Sequence, residues 1–212
     1  KPIVGINLGR LGFLADLTTE DFCRNLDQLK NGQYDIVEHL MFECQHRLND
    51  GSIKTNLGLN EVTITSGSSL KMLDIKLEID CEPVTTFSCD GLIISTPVGS
   101  TAHNLSAGGP ILRQDLQAFC ITPICPHTLT VRPIVDSAER TYGLTVPEAP
   151  EGVMLVIDGQ ISRAFGPRDH VIVKRAVATF KLVRFPKHSY YSTLHRKLGW
   201  RGQLDYRERK GL

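Results

Sequence analysis

Asp90-Gly-Leu-Ile-Ile-Ser95-Thr-Pro-Val-Gly-Ser100-Thr-Ala-His-Asn-Leu105-Ser-Ala-Gly-Gly-Pro110-Ile111 changes character twice along its length. Leu92–Ile94 is short and apolar, as in a strand buried on both faces. The strand then runs into a loop built from Ser, Thr, Gly and Pro. Ser100 to Leu105 is predicted to form a short helix, with Ser100, Thr101 and Ala102 in its first turn. Hydroxyls and unpaired N–H groups at a helix N-terminus suit a phosphate or a ribose. Glycines let a ligand come close to the backbone. A plain strand-loop-helix corner with a capping serine would also have this shape, but the length and composition of the run favour a ligand site. No Lys follows the glycines, so it is not a Walker A loop.

On both sides of this run the chain reads as many short strands. They are predicted at Ile36–Cys44, Glu61–Thr65, Leu73–Ile79, Thr85–Ser88, Leu92–Thr96, Leu129–Ile134, Tyr142–Val146, Val153–Ile157, Val171–Lys174 and Ala178–Val183. Turn residues separate them, among them Asn49-Asp-Gly51, Ser66-Gly67 and Asp158-Gly159. This spacing predicts a β-sandwich-like domain. Before it, Pro2–Leu8 reads as a parallel-sheet strand. Thr18 to Gly32 reads as a helix with Phe22, Leu26 and Leu29 on one face. The glycines at 5, 9 and 12 have the wrong spacing for a dinucleotide fingerprint. Leu112–Phe119 reads as a helical turn or two, Ser192–Leu198 as a helix, and Trp200–Leu212 as a basic, solvated tail. A chain that opens in mid-strand predicts a further N-terminal part before Lys1.

Composition narrows the function classes. A net charge of +1 gives no electrostatic case for nucleic acid or a membrane surface. No apolar run approaches the roughly 20 residues of a membrane span. The six cysteines form no Cys-x-x-Cys pair and are expected to be reduced thiols in the cytoplasm. The seven histidines show no H-x-x-x-H or H-E-x-x-H spacing, and no G-x-S-x-G occurs, so no all-protein metal cage is expected.

A few residues elsewhere could carry chemistry. Asn60-Glu61 opens a strand, where an amide beside a carboxylate can hold vicinal ribose hydroxyls; by itself such a pair is usually turn chemistry. Asp158-Gly-Gln160 is, on spacing alone, a hairpin turn. Asp90 precedes the apolar strand. Lys71 reads as a solvated lysine, and His103 is the histidine that falls inside the suspected loop.

Together these segments resemble the bacterial NAD kinases. INLGRLGFLADL (6–17), LNEVTI (59–64), DGLIISTPVGSTA (90–102), SAGGPI (106–111), TPICPHTL (122–129), RPIV (132–135), DGQ (158–160) and TLHRKLGW (193–200) occur in the family's order. The resemblance implies an α+β chain in three parts. Residues 1–33 would end an N-terminal α/β domain. Residues 34–185 would form a two-layer β-sandwich-like NAD-binding domain, and residues 186–212 would return to the first part. It further implies phosphoryl transfer from ATP or polyphosphate to the 2′-hydroxyl of the adenosine ribose of NAD, with Mg2+. NAD would lie between the domains of a homodimer or homotetramer.

Residue by residue, the resemblance assigns NAD contacts to Asn60, Glu61 and Lys71, and to Thr101, Ala102, His103, Asn104, Leu105 and Ser106. Asp90 and Gln160 would contact NAD across a subunit boundary, with Asp158 in the same turn, and Phe13 would pack at the cleft. His103 stands where the family usually has Tyr. The family's Gly-Gly-Asp-Gly motif, whose Asp is assigned to activating the 2′-hydroxyl, does not occur in these 212 residues. It is expected upstream of Lys1, so the complete protein is expected to be a kinase and these residues alone inactive. The other readings are a nucleotide-binding or regulatory protein without catalysis, and a related lipid kinase. SAGGPI and Asp-Gly-Gln favour the NAD branch.

Overall fold

The computed structural model describes residues 1–9, 12–15, 17–69, 71–186 and 190–199, less the side chains of Ser69, Ser192 and Arg196. The predicted tail, Trp200–Leu212, lies outside the described residues. The chain divides into two units. Residues 38–180 form one; residues 1–37 and the described residues from 181 on form the other. Both junctions fall inside long strands.

The larger unit is a sandwich of two six-stranded sheets. The first has the order β2 (Ile53–Gly58), β1 (Asp35–Arg47), β12 (His170–Arg184), β9 (Tyr142–Thr145), β4 (Leu73–Ile79), β5 (Glu82–Cys89). The second runs β11 (Ile161–Ala164), β10 (Met154–Ile157), β3 (Glu61–Thr65), β6 (Gly91–Ser95), β7 (Ala118–Ile124), β8 (Ile134–Ser137). Period-two patterning makes the core. Leu73, Ile75 and Leu77 of β4 point inward, while Asp74 and Lys76 are exposed. Phe119 of the second sheet meets Tyr142 of the first edge to face, with ring centroids 5.6 Å apart. Burying each such side chain contributes about 1.5–3 kcal/mol. β6 is buried along its whole length. Leu92 and Ile94 face the inter-sheet core, and Ile93 is buried outside that cluster.

Several local expectations change. Leu129–Val131 is not strand; Leu129 is 93% exposed, and the Arg132 guanidinium donates to the carbonyls of Leu129 and Val131. Residues 112–117 form no helix, and β7 starts at Ala118. The two strands predicted at 171–174 and 178–183 are one, β12. β2, β7 and β11 are strands that the sequence patterning does not predict.

In the smaller unit, Pro2–Leu8 makes two isolated parallel bridges among the described residues, Ile3 to Leu182 and Ile6 to Leu17. The predicted helix is two short ones, α1 (Thr19–Arg24) and α2 (Leu26–Lys30), broken at Asn25. A reciprocal Thr18–Asp21 capping box starts α1. Leu17, Val183 and Phe185 form this unit's core, with Val4, Leu29 and Tyr34 packed against it. The second predicted helix extends by two residues at its start, to Tyr190–Leu198. Among the described residues no helix is long and apolar enough to cross a membrane.

All six cysteines are free. Cys44, Cys89 and Cys120 are buried, and burial pushes the Cys44 thiol up to about 12 and Cys89 to about 11.

One half-buried histidine, His170, links the sandwich to pH. His170 lies so close to Gly143 that a Cβ there would sit 2.9 Å from its Nε2, and that nitrogen has no hydrogen-bond partner. Burial holds the imidazole below its ordinary value of 6.5; Glu78 pulls it up and Arg47 pushes it down. The neutral form suits the fold. Its contribution is whole above pH 6.5 and is lost as pH falls through the lowered folded value. Stability should therefore decline more gently below pH 6.5 in His170→Gln than in the parent. Parallel slopes in urea titrations at several pH values would rule this out.

Candidate functional site

The site is built where β3 begins. Leu59, Asn60 and Glu61 present three consecutive backbone N–H groups, an arrangement that attracts an anion. Here the anion is the protein's own. Asp158 Oδ2 accepts from Leu59 N at 2.7 Å, and Oδ1 accepts from Asn60 N at 2.8 Å and Glu61 N at 3.0 Å. Asp158 N donates back to Glu61 O at 2.9 Å. Asp158 sits in the β10–β11 turn at φ 51°, a left-handed conformation that Asp tolerates better than most residues. The turn is a hairpin as expected, but its carboxylate also clamps a strand start nearly a hundred residues away.

From the other side the loop after β6 holds the same segment. Thr96 N donates to Asn60 O at 2.9 Å, and Thr96 Oγ1 donates to Leu59 O at 2.5 Å. Gly99 N donates to Thr96 Oγ1 at 3.1 Å. The Gly99 backbone lies against Asn60 so closely that a Cβ would sit 2.1 Å from Asn60 O. Thr96 was not foreseen; a threonine before a proline gives no signal of its own.

The predicted helix is a 3-10 turn, Gly99–Thr101, followed by the single-turn α3, His103–Ser106, with Ala102 non-helical between them. This geometry does not present a row of free hydroxyls. Ser100 Oγ donates to Pro97 O at 2.6 Å and accepts from Leu112 N at 3.0 Å. Thr101 Oγ1 donates to Val98 O at 3.2 Å. Asn104, expected to touch a ligand, is fully buried. Its Nδ2 donates to the carbonyls of Ser100 and Pro110, and its Oδ1 accepts from Thr122 Oγ1 at 2.6 Å. Asn104 and the unforeseen Thr122 therefore tie the loop to β7. Thr101, Ala102 and Leu105 are half-buried along the turn and α3, and Ser106 is exposed.

His103 is the side chain that reaches back. Its Nδ1 lies 2.6 Å from Glu61 Oε1. The imidazole is 70% exposed, whereas the Glu61 side chain is 3% exposed. Burial pushes the Glu61 carboxyl above its ordinary range, the His103 hydrogen bond and charge pull it back, and Asp158 pushes it up again. Glu61 Oε2 is buried with no hydrogen-bond partner. A buried acceptor left open is costly unless something donates to it.

Asp90 is the single residue between β5 and β6, at the opposite end of β6 from Ser95, about 17 Å along the strand. Its Oδ1 is 4.0 Å from His127 Nε2. Gln160 is exposed in the Asp158 turn. Lys71 is exposed on the approach to β4, a strand of the other sheet. Phe13 belongs to the smaller unit, where its ring lies 5.7 Å from the Lys197 ammonium. Among the described residues no three His, Cys, Asp or Glu side chains gather into a metal site.

Known proteins share this sequence and fold. Residues 59–185 match the family model described as ATP-NAD kinase C-terminal domain. The chain is 49% identical to an NAD kinase of Rhodopirellula baltica over 98% of its own length and 67% of the relative's. It is 39% identical to an NAD kinase of Geotalea daltonii over 94% of its length and 70% of the relative's. Yeast NADH kinase, solved in complex with NADH, superposes with a TM-score of 0.90 at 25% identity; the match covers 97% of this chain and spans 60% of the yeast one. An Archaeoglobus fulgidus NAD kinase solved with ATP gives 0.77 at 30% identity, covering 95% of this chain and 75% of that one.

Proposed function

The chain belongs to the NAD kinase family, and we propose that it supplies the NAD-binding wall of a kinase that phosphorylates the adenosine-ribose 2′-hydroxyl of NAD from ATP. One observation carries the site: the buried Glu61 carboxylate, whose Oε2 is open while Oε1 is held by His103. A ribose hydroxyl is a donor that would satisfy it. Asn60 beside it can donate and accept, and the Asp158 clamp keeps both residues in place before a ligand arrives. Positioning is much of what a kinase supplies, because phosphoryl transfer depends chiefly on alignment and charge stabilisation.

The NADH and ATP of the two solved relatives support both nucleotides as ligands of this chain. The divalent cation, Mg2+, would come with ATP, held mainly by phosphate oxygens and water. It would supply charge neutralisation at the transferred phosphoryl group. Among the 212 residues there is no Gly-Gly-Asp-Gly run, so the role derived for this chain is binding and orientation. Asp90 lies a strand's length from Glu61, which fits a homodimer or homotetramer in which Asp90 serves a neighbour's site. The free thiols, three of them buried, suit the cytoplasm.

Glu61→Ala should weaken NAD binding by about 1.5–3 kcal/mol, the loss of a charged hydrogen-bond acceptor. Calorimetry on the complete protein checks this, alongside NADP formation from NAD and Mg-ATP. An unchanged Kd for NAD would remove Glu61 from the site.

A further inference from the structure

We infer that His103 is a positioning residue for Glu61, fixing Oε1 so that Oε2 is the oxygen offered to the ligand. The inference rests on the reading of Glu61 as an NAD contact.

Three distant segments meet at the imidazole. Glu61 comes from the start of β3, His103 is the first residue of α3, and the Asp158–Gly159 turn closes the third side. A Cβ at Gly159 would lie 3.7 Å from the ring's Cε1, which places the turn against the ring. The bond to Glu61 is short, at 2.6 Å, although the ring is mostly exposed. An exposed side chain contributes little to the core, so its geometry is set by what it contacts. The titratable groups that face Glu61 are His103 from α3 and Asp158 from the turn. The Asp158 carboxylate accepts from backbone amides, and the Asp158 N–H donates to the Glu61 carbonyl rather than to its carboxylate. The imidazole N–H is therefore the donor that orients the carboxylate. An ionised carboxylate only accepts, so the proton of this bond lies on Nδ1.

Removing that donor has a consequence beyond geometry. Burial already favours the neutral carboxyl, and the imidazole is what opposes it. Without it Glu61 keeps its proton to higher pH, and a neutral acid is a poorer acceptor.

The test compares steady-state kinetics of His103→Phe, His103→Asn and Glu61→Gln in the complete protein, across pH, with NAD as the varied substrate. Phe keeps a ring but has no donor; Asn places an N–H near the position of Nδ1. In His103→Phe, KM for NAD should rise about tenfold, more than kcat falls, and the acid limb of kcat/KM should move to higher pH. His103→Asn should recover most of the loss, and Glu61→Gln should lack the limb. If Glu61→Gln weakens NAD binding while His103→Phe leaves KM and the acid limb unmoved, the role of His103 is overturned and the site stands. If Glu61→Gln binds NAD as the parent does, the reading of the site falls and this inference with it.

Discussion

Asp158→Ala is expected to lose on the order of 3 kcal/mol of folding stability and to abolish measurable NAD binding. The carboxylate accepts from three consecutive amides, at 2.7, 2.8 and 3.0 Å. Each bond to a charged group contributes about 1.5–3 kcal/mol, but the three share one acceptor and do not add. Alanine would leave Leu59, Asn60 and Glu61 with orphaned donors in a part-buried place. The start of β3 would then rotate to find water, taking the Glu61 carboxylate with it. The turn's backbone offers a control. Asp158 sits at φ 51°, so alanine adds left-handed strain to the lost bonds. Asp158→Gly removes the same carboxylate without that strain. Both variants should lose NAD binding, and glycine should be the more stable of the two. Urea midpoints and calorimetry read both effects. A glycine variant that binds NAD normally would show that the clamp is dispensable.

Much of the sandwich is legible in the sequence because its inner strands alternate. Glu61–Thr65 and Leu73–Ile79 match β3 and β4 at both ends, since apolar residues at every second position have one stable way to face a core. Edge strands carry no such record. In β2, Ile53, Lys54, Thr55 and Leu57 are all exposed, so pairing to β1 holds the strand without a hydrophobic stripe to announce it. β7 is hidden differently: Cys120, Thr122 and Pro123 interrupt an apolar run that tertiary burial completes. Within the site, Asn60, Glu61 and the loop after β6 stand out only through motifs in order. The Asp158 clamp pairs residues that no local pattern joins. Asn104 shows the opposite failure. A polar residue in a small-residue loop looks ligand-facing, and here every polar atom of its side chain is bound inside the protein.

Gly99→Ala should be nearly as damaging as loss of the clamp, for a reason of space. A Cβ at residue 99 would stand 2.1 Å from Asn60 O and 2.4 Å from Asn60 C. These are backbone atoms, so no rotamer change relieves the contact. Either the loop after β6 lifts or Asn60 is pushed away, and both moves break the bond from Thr96 N to Asn60 O. Overpacking of this kind costs about 1–3 kcal/mol. A displacement of about 1 Å at a positioned group is enough to lose on the order of 100-fold in function. Gly51 is the comparison. It has φ 83° with nothing within 4 Å of an added Cβ, so Gly51→Ala tests strain without crowding. That variant should cost about 1–2 kcal/mol and leave NAD affinity alone. Gly99→Ala, with no left-handed strain to relieve, should instead lose about 100-fold in NAD affinity. If the two alanine variants bind NAD equally well, the close approach of Gly99 to Asn60 does not shape the pocket.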